Sequence, residues 1–227
     1  VNQPAAAVPS TWSEIGYAVR RNLVPGLCLW SFAAALVACY YLLPATRGWW
    51  DAIGSFKDGT GLWIAFIATV VTTCFLPMAI IALMGLCRRD RLGWRLFAGV
   101  LFWGWRGIEV DLLYRGQAWL FGDGHDAATI ACKVAFDQFI YCPLWAVPNV
   151  ALGLRFLDRG ASWSAFRDGL DWRTARHLWW STMLATWMVW IPATSLIYSL
   201  PVPLQFPLFS LVSCFGVLVV TLLVAKR

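Results

Sequence analysis

The sequence predicts an all-α membrane protein: a polytopic helix bundle of about six transmembrane helices, with both termini on the cytoplasmic, positively charged side. Three observations carry this. Of the 227 residues, 60% are hydrophobic and only 13% charged. An ordinary soluble domain is about 25% charged, so too few ionic side chains remain to cover a water-facing surface. Uncharged runs reach the roughly 20 apolar residues that a helix needs to cross hydrocarbon. Lys and Arg gather in short clusters between those runs, as cytoplasmic flanks do. The same composition excludes a disordered chain and a small disulfide-stapled scaffold.

Residues 1–21 read as a polar, interfacial segment whose Ala/Pro-rich start has no cleavable signal pattern, and residues 22–227 as one transmembrane domain. Asn22–Thr46 is uncharged and gives a first span centred near Phe32. Gly59–Cys87 gives a second, with a kink at Pro77. A third run begins at Leu96 and meets Arg106, Glu109, Asp111 and Arg115 before Phe121. Thr129–Leu154 is a fourth, holding Lys133 and Asp137. Leu178–Ala225 is uncharged for 48 residues, enough for two more spans, with Pro201, Pro203 and Pro207 supplying the break. Five spans, with the third run lying in the interface, is the alternative count.

The net charge of +6 is distributed as an orientation signal. Thirteen of the 18 basic residues fall on one side: Arg20–Arg21, Arg88–Arg89 with Arg91 and Arg95, the five arginines from Arg155 to Arg176, and Lys226–Arg227. The other side holds Arg47 and Lys57, balanced by Asp51 and Asp58, and the acidic loop Asp123–His125–Asp126. No continuous basic stripe suits a nucleic acid, so none is expected as a partner. Of the 16 tryptophans, Trp49–Trp50, Trp63, Trp94, Trp163, Trp172 and Trp179–Trp180 fall near the span boundaries, where indole rings favour the headgroup region. Trp30, Trp145, Trp187 and Trp190 lie deeper, as packing or lipid contacts. The seven cysteines, mostly in apolar runs, read as small buried hydrophobes, and their spacing with His125 and His177 gives no metal site. His177 is read as interfacial. No cofactor is implied.

The segment Trp105–Arg115 reads WRGIEVDLLYR. Arg106 and Glu109 are three apart on one helix face; Asp111 and Arg115 are four apart on another. Lys133 and Asp137 repeat the four-residue relation. A charge facing lipid costs about 2.5–3.5 kcal/mol or more, so this helix must be enclosed by protein or water, or lie near an interface. The candidate pathway residues are therefore Arg106, Glu109, Asp111, Tyr114, Arg115, Lys133, Asp137 and Gln138, with Tyr141 and Asn149 as supplements. They either line a wetted pathway or form self-neutralising pairs that only fix helix register.

Lys133–Val–Ala–Phe–Asp137–Gln138, followed by Pro143, resembles the K-x-x-x-D-Q-x-x-x-x-P signature of the Mpv-seventeen/PMP-twenty-two family of mitochondrial and peroxisomal membrane proteins. Gly107 stands seven residues before Tyr114, and Trp190–Ile191–Pro192–Ala193 with Val202–Pro203 resembles the family's W-P-A…V-P block. The likeness runs from about Gly107 to Pro203; Ile108, Leu113, Tyr198–Ser199 and Pro207 depart from it. It implies a small multi-helix membrane protein, in some relatives a weakly selective channel. For this chain the expected location is a bacterial inner membrane, or an organellar or peroxisomal membrane in a eukaryote.

Two functions follow. One is a weakly selective small-solute or ion channel with a charged intramembrane pathway. The alternative is a non-transporting accessory subunit that packs on a larger membrane complex, pigment or lipid, drawing on the Trp and Phe load and on Gly99, Gly104, Gly107 and Gly153 for close helix approach. Ser-His-Asp, HExxH, Walker and Rossmann signatures are missing, so an enzyme is not expected.

Overall fold

The computed structural model describes residues 11–83, 85, 92–168 and 170–225. Arg88, Arg89, Arg91, Lys226, Arg227 and Cys87, used above for orientation and packing, lie outside the described residues. Among the described residues every regular element is helical. The α-helices are α1 (Thr11–Leu42), α2 (Arg47–Thr60), α3 (Leu62–Val70), α4 (Leu76–Leu83), α5 (Leu92–Phe121), α6 (Ala127–Phe136), α7 (Val147–Asp158), α8 (Trp163–Arg167), α9 (Trp172–Tyr198) and α10 (Val202–Ala225). A π-helical turn, Val71–Phe75, joins α3 to α4, and a longer one, Asp137–Ala146, joins α6 to α7.

Two of these rods, Leu62–Ile80 and Ala127–Asp158, are long and apolar enough to cross a membrane, and the bent pair Gly26–Leu42 with Pro44–Thr60 makes up to three. α5 runs unbroken for 30 residues, charges included. α1 starts at Thr11, so the boundary between residues 21 and 22 falls inside one helix. The proline break is shorter than expected. α9 and α10 are separated by Ser199–Pro201 only, Pro203 stands in the first turn of α10, where a missing N–H costs little, and Pro207 is inside the helix.

Arg47–Thr60, expected as part of a loop, is helical and turns 95° from the end of α1. Pro44 opens the bend, and the Thr46 hydroxyl donates to the carbonyls of Cys39 at 2.9 Å and Leu43 at 2.8 Å, which the ending helix leaves open. Gly61, at φ +61° and ψ −144°, then swings the chain into α3 through backbone that residues with a Cβ avoid.

α1 packs along α9, α3 along α5, and α10 touches α1, α2, α5 and α9. The main core gathers Leu204, Phe206, Leu208 and Val212 of α10 with Ile197 and Tyr198 of α9 and Tyr114 of α5. Gly107 lets α5 approach α3: a Cβ there would run into the Ala65 carbonyl oxygen and the Thr69 side chain. Asp126 and Asp171 cap α6 and α9 through backbone N–H groups. Thr129, by hydroxyl and N–H, holds the Asp126 carboxyl below the ordinary range, so this cap is in place above that range and is lost as pH falls through the lowered value.

The long π turn has a cause in sequence. Val147 N–H bonds to the Cys142 carbonyl, five residues back. In that register the carbonyls of Gln138 and Pro143 would be served by residues 143 and 148, and both are proline. α9 supplies the missing donors. Trp187 Nε1 bonds the Gln138 carbonyl at 2.7 Å, and Trp179 Nε1 bonds the Pro143 carbonyl at 2.9 Å. Trp30 Nε1 of α1 likewise donates to the Val189 carbonyl of α9 at 2.9 Å. Without water or a neighbouring donor such carbonyls could not stay inside an apolar bundle.

Trp187→Phe keeps the ring and leaves the Gln138 carbonyl open, so it should destabilise the bundle by about 1–3 kcal/mol. Trp172→Phe, at a position 76% exposed, should stay within about 0.5 kcal/mol of wild type. Reversible unfolding in mixed micelles checks this; equal losses would contradict the donor role.

Candidate functional site

Among the described residues, the sequence-predicted polar side chains and their partners fall into three clusters. In the first, Asp111 of α5 is buried and its Oδ1 lies 2.7 Å from Lys57 Nζ of α2. Arg115 Nε, one turn along α5, donates to Oδ2 at 3.1 Å. Lys57, expected to be balanced by Asp51 and Asp58 in a loop, is instead buried and points inward. Its ammonium also stands 5.6 Å from the centre of the Phe206 ring. Spacing within one helix revealed the Asp111–Arg115 half. The Lys57 half joins residues 54 apart and had no local signal beyond the stripe Trp50, Gly54, Lys57, which shares one face of α2.

In the second cluster Arg106 Nη1 meets Glu109 Oε1 at 2.5 Å. The Tyr141 hydroxyl donates to the same carboxylate, and Arg106 donates to Tyr141 Oη at 3.3 Å. The pair is therefore neutral and covered on its third side by the π turn.

The third cluster departs from the sequence pattern. Lys133 and Asp137, four apart, do not pair. Asp137 accepts from Tyr198 Oη of α9 at 2.9 Å and from Cys142 Sγ at 3.4 Å. Cys142 is five residues on, where the π register brings it beneath Asp137. Tyr198 in turn accepts from Gln117 Nε2 of α5 at 2.8 Å. Lys133 Nζ, buried, has no hydrogen-bond partner among the described residues. Gln117, Cys142 and Tyr198 were missed because each acts across helices or through the π turn, which no periodicity in the sequence announces.

A cavity of about 400 Å³ lies between these helices. Arg106, Tyr114, Asp137, Gln138 and Tyr141 are on its wall, as are Val189 and Trp190 of α9. Of the other expected pathway residues, Glu109 neutralises Arg106, while Asp111, Arg115 and Lys133 are not on the wall. Asn149 donates to the Trp145 carbonyl of its own helix at 2.8 Å. Both polar atoms of the Gln138 amide, Thr69 Oγ1 and Ser213 Oγ are buried without partners, and all three residues belong to the wall. Orphaned polar atoms grouped around one space call for water or a polar solute in it. The wall is otherwise mainly apolar, as in ordinary small-molecule sites.

Of the cysteines, Cys74 and Cys142 are buried, whereas Cys28 and Cys132 are exposed. Among the described residues no group of three or more His, Cys, Asp or Glu side chains could hold a metal ion.

Lys57→Met should cost about 3–5 kcal/mol, because it leaves Asp111 with a single, half-exposed cation. Lys57→Met with Asp111→Leu should cost less than the two single changes summed, since the second removes the orphaned charge. Single losses below about 1 kcal/mol would mark the pair as one of surface strength. Comparison of the chain with protein-family models, curated proteins and solved structures finds no match.

Proposed function

We propose that the chain is a multi-pass integral membrane protein that passes small solutes through its central cavity with weak selectivity. The single observation that carries this reading is the cavity itself. It lies inside a bundle whose outer surface bears exposed Leu, Ile, Phe and Trp side chains, and it holds Arg106, Asp137 and the unpartnered Gln138 amide on an otherwise apolar wall.

In this reading six spans are α1, α3–α4, α5, α6–α7, α9 and α10. The N-terminus and the Arg155–Arg176 cluster share the cytoplasmic side. Each is long enough for a hydrocarbon layer of about 30 Å at 1.5 Å per residue, and α5 tolerates its charges because Lys57, Arg115 and Tyr141 meet them within the protein. The pathway is not a ring of like charges. On its wall Arg106 is met by Glu109, and Asp137 is hydrogen-bonded by Tyr198 and Cys142, which suits weak discrimination better than ion selection. Kinship with the Mpv-seventeen/PMP-twenty-two proteins belongs to the same proposal and draws on the Lys133…Asp137–Gln138…Pro143 element.

An accessory subunit comes second. Exposed side chains such as Trp119, Leu144 and Trp172 would suit a protein partner, but a bilayer covers such surface equally well.

The test is flux in vesicles containing the purified protein, read as swelling in glycerol and as potassium release. Wild type should exceed empty vesicles, and Asp137→Asn, which keeps the size of the side chain, should change the rate several-fold. Wild-type flux at the empty-vesicle level would sink the proposal.

A further inference from the structure

α2 presents three stripes, each following its own helical repeat. Trp50, Gly54 and Lys57 are buried against the bundle. Asp51, Ser55 and Asp58 are exposed and polar. Trp49, Ala52, Ile53 and Phe56 are exposed and, with the exception of a small alanine, large and apolar: Trp49 is 78% and Phe56 59% accessible. Spacings of three, four and seven residues put each set on one face. A shallow, open groove along the third stripe is lined by Ala45, Gly48, Trp49, Ala52, Ile53 and Phe56.

The helix is also set crosswise, at 95° to the outer part of α1. A helix lying across a spanning rod, with water-seeking and oil-seeking faces side by side, meets both requirements at one place only: the boundary between headgroups and acyl chains. A wholly aqueous setting would leave the Trp49 stripe uncovered. Full immersion would strip Asp51 and Asp58 of water at about 2.5–3.5 kcal/mol or more each.

We propose that α2 lies in the plane of the membrane surface, its Trp49–Ile53–Phe56 stripe seated on phospholipid acyl chains, its Asp51–Ser55–Asp58 stripe in water and its Trp50–Gly54–Lys57 stripe locked to the bundle. The ligand class is the acyl chain of a bilayer lipid, and the groove beside Gly48 is its bed. The buried stripe fixes the depth: Gly54 abuts Pro203, where a Cβ would come within 3.2 Å, and Lys57 reaches Asp111. The short α9–α10 turn thereby sits beneath a lipid-borne cover.

This rests on the reading that the chain spans a bilayer, and the experiment separates the two. The full chain is placed in phosphatidylcholine vesicles containing a lipid with a photoactivatable diazirine on its acyl chain, and adducts are mapped by mass spectrometry. In parallel, a water-soluble carbodiimide with an amine nucleophile is supplied to both faces of the membrane. Ile67 and Phe75, exposed on the rod from Leu62 to Ile80, serve as the internal reference. The expected result is lipid adducts on Trp49, Ile53 and Phe56 as on the reference residues, with Asp51 and Asp58 free of lipid adducts and modified by the carbodiimide. Adducts on both stripes would mean an immersed helix and overturn the proposal. Labelled Ile67 and Phe75 beside an unlabelled Trp49 stripe would overturn it while sparing the membrane reading. An unlabelled reference pair would overturn both.

Discussion

Asp111 is a carboxylate withdrawn from water and held between two cations that reach it from different directions. Arg115 comes from one turn along the same helix and keeps 43% of its side chain accessible. Lys57 comes from a separate helix and is as deeply buried as the carboxylate it meets. The two are unequal. A local partner half in solvent is lost at little cost, whereas a buried partner that is lost leaves an uncompensated charge. Much else depends on the second cation being in place. Passing Phe206 into the bundle, the Lys57 side chain ties the face of α2 that also holds Trp50 and Gly54 to α5 and α10.

The same accounting governs the backbone. Pro143 and Pro148 withhold two N–H donors from the widened turn between α6 and α7, and indoles from α9 stand in for them. The substitution has a consequence for chemistry. A π turn rotates the residues that follow it relative to an α-helix, and here it carries Tyr141 to Glu109 and Cys142 to Asp137. Prolines, indoles and the polar wall of the cavity are thus one construction: remove the indole donors and the turn that assembles the wall loses its support.

Legibility in the sequence followed the range of the interaction. Arg106 with Glu109, and Asp111 with Arg115, are contacts within one helix, and spacing alone located them. The helical class and the apolar rods were equally open, because both are written in composition and run length. What spacing could not supply was competition between partners. Lys133 and Asp137 have the right separation, yet Tyr198 and Cys142 take the carboxylate, and Lys133 Nζ has no hydrogen-bond partner among the described residues. Lys57 looked like one charge of a loop because its neighbours Asp51 and Asp58 balance it on paper, while the partner it uses is 54 residues away. The role of Trp187 was hidden for a similar reason: its need arises from a proline in another helix.

The carboxylate–ammonium contact inside the bundle can be observed directly, because the sequence contains only three lysines. With ¹⁵N at the lysine side-chain nitrogens and ¹³C at the aspartate carboxyl carbons, solid-state NMR of the protein in bilayers reads nitrogen–carbon dipolar coupling. One lysine nitrogen should dephase rapidly, as a direct N–H···O contact requires, and that signal should vanish in Lys57→Gln. Absence of strong coupling, or coupling that survives Lys57→Gln, would place Asp111 with another partner and contradict the arrangement described.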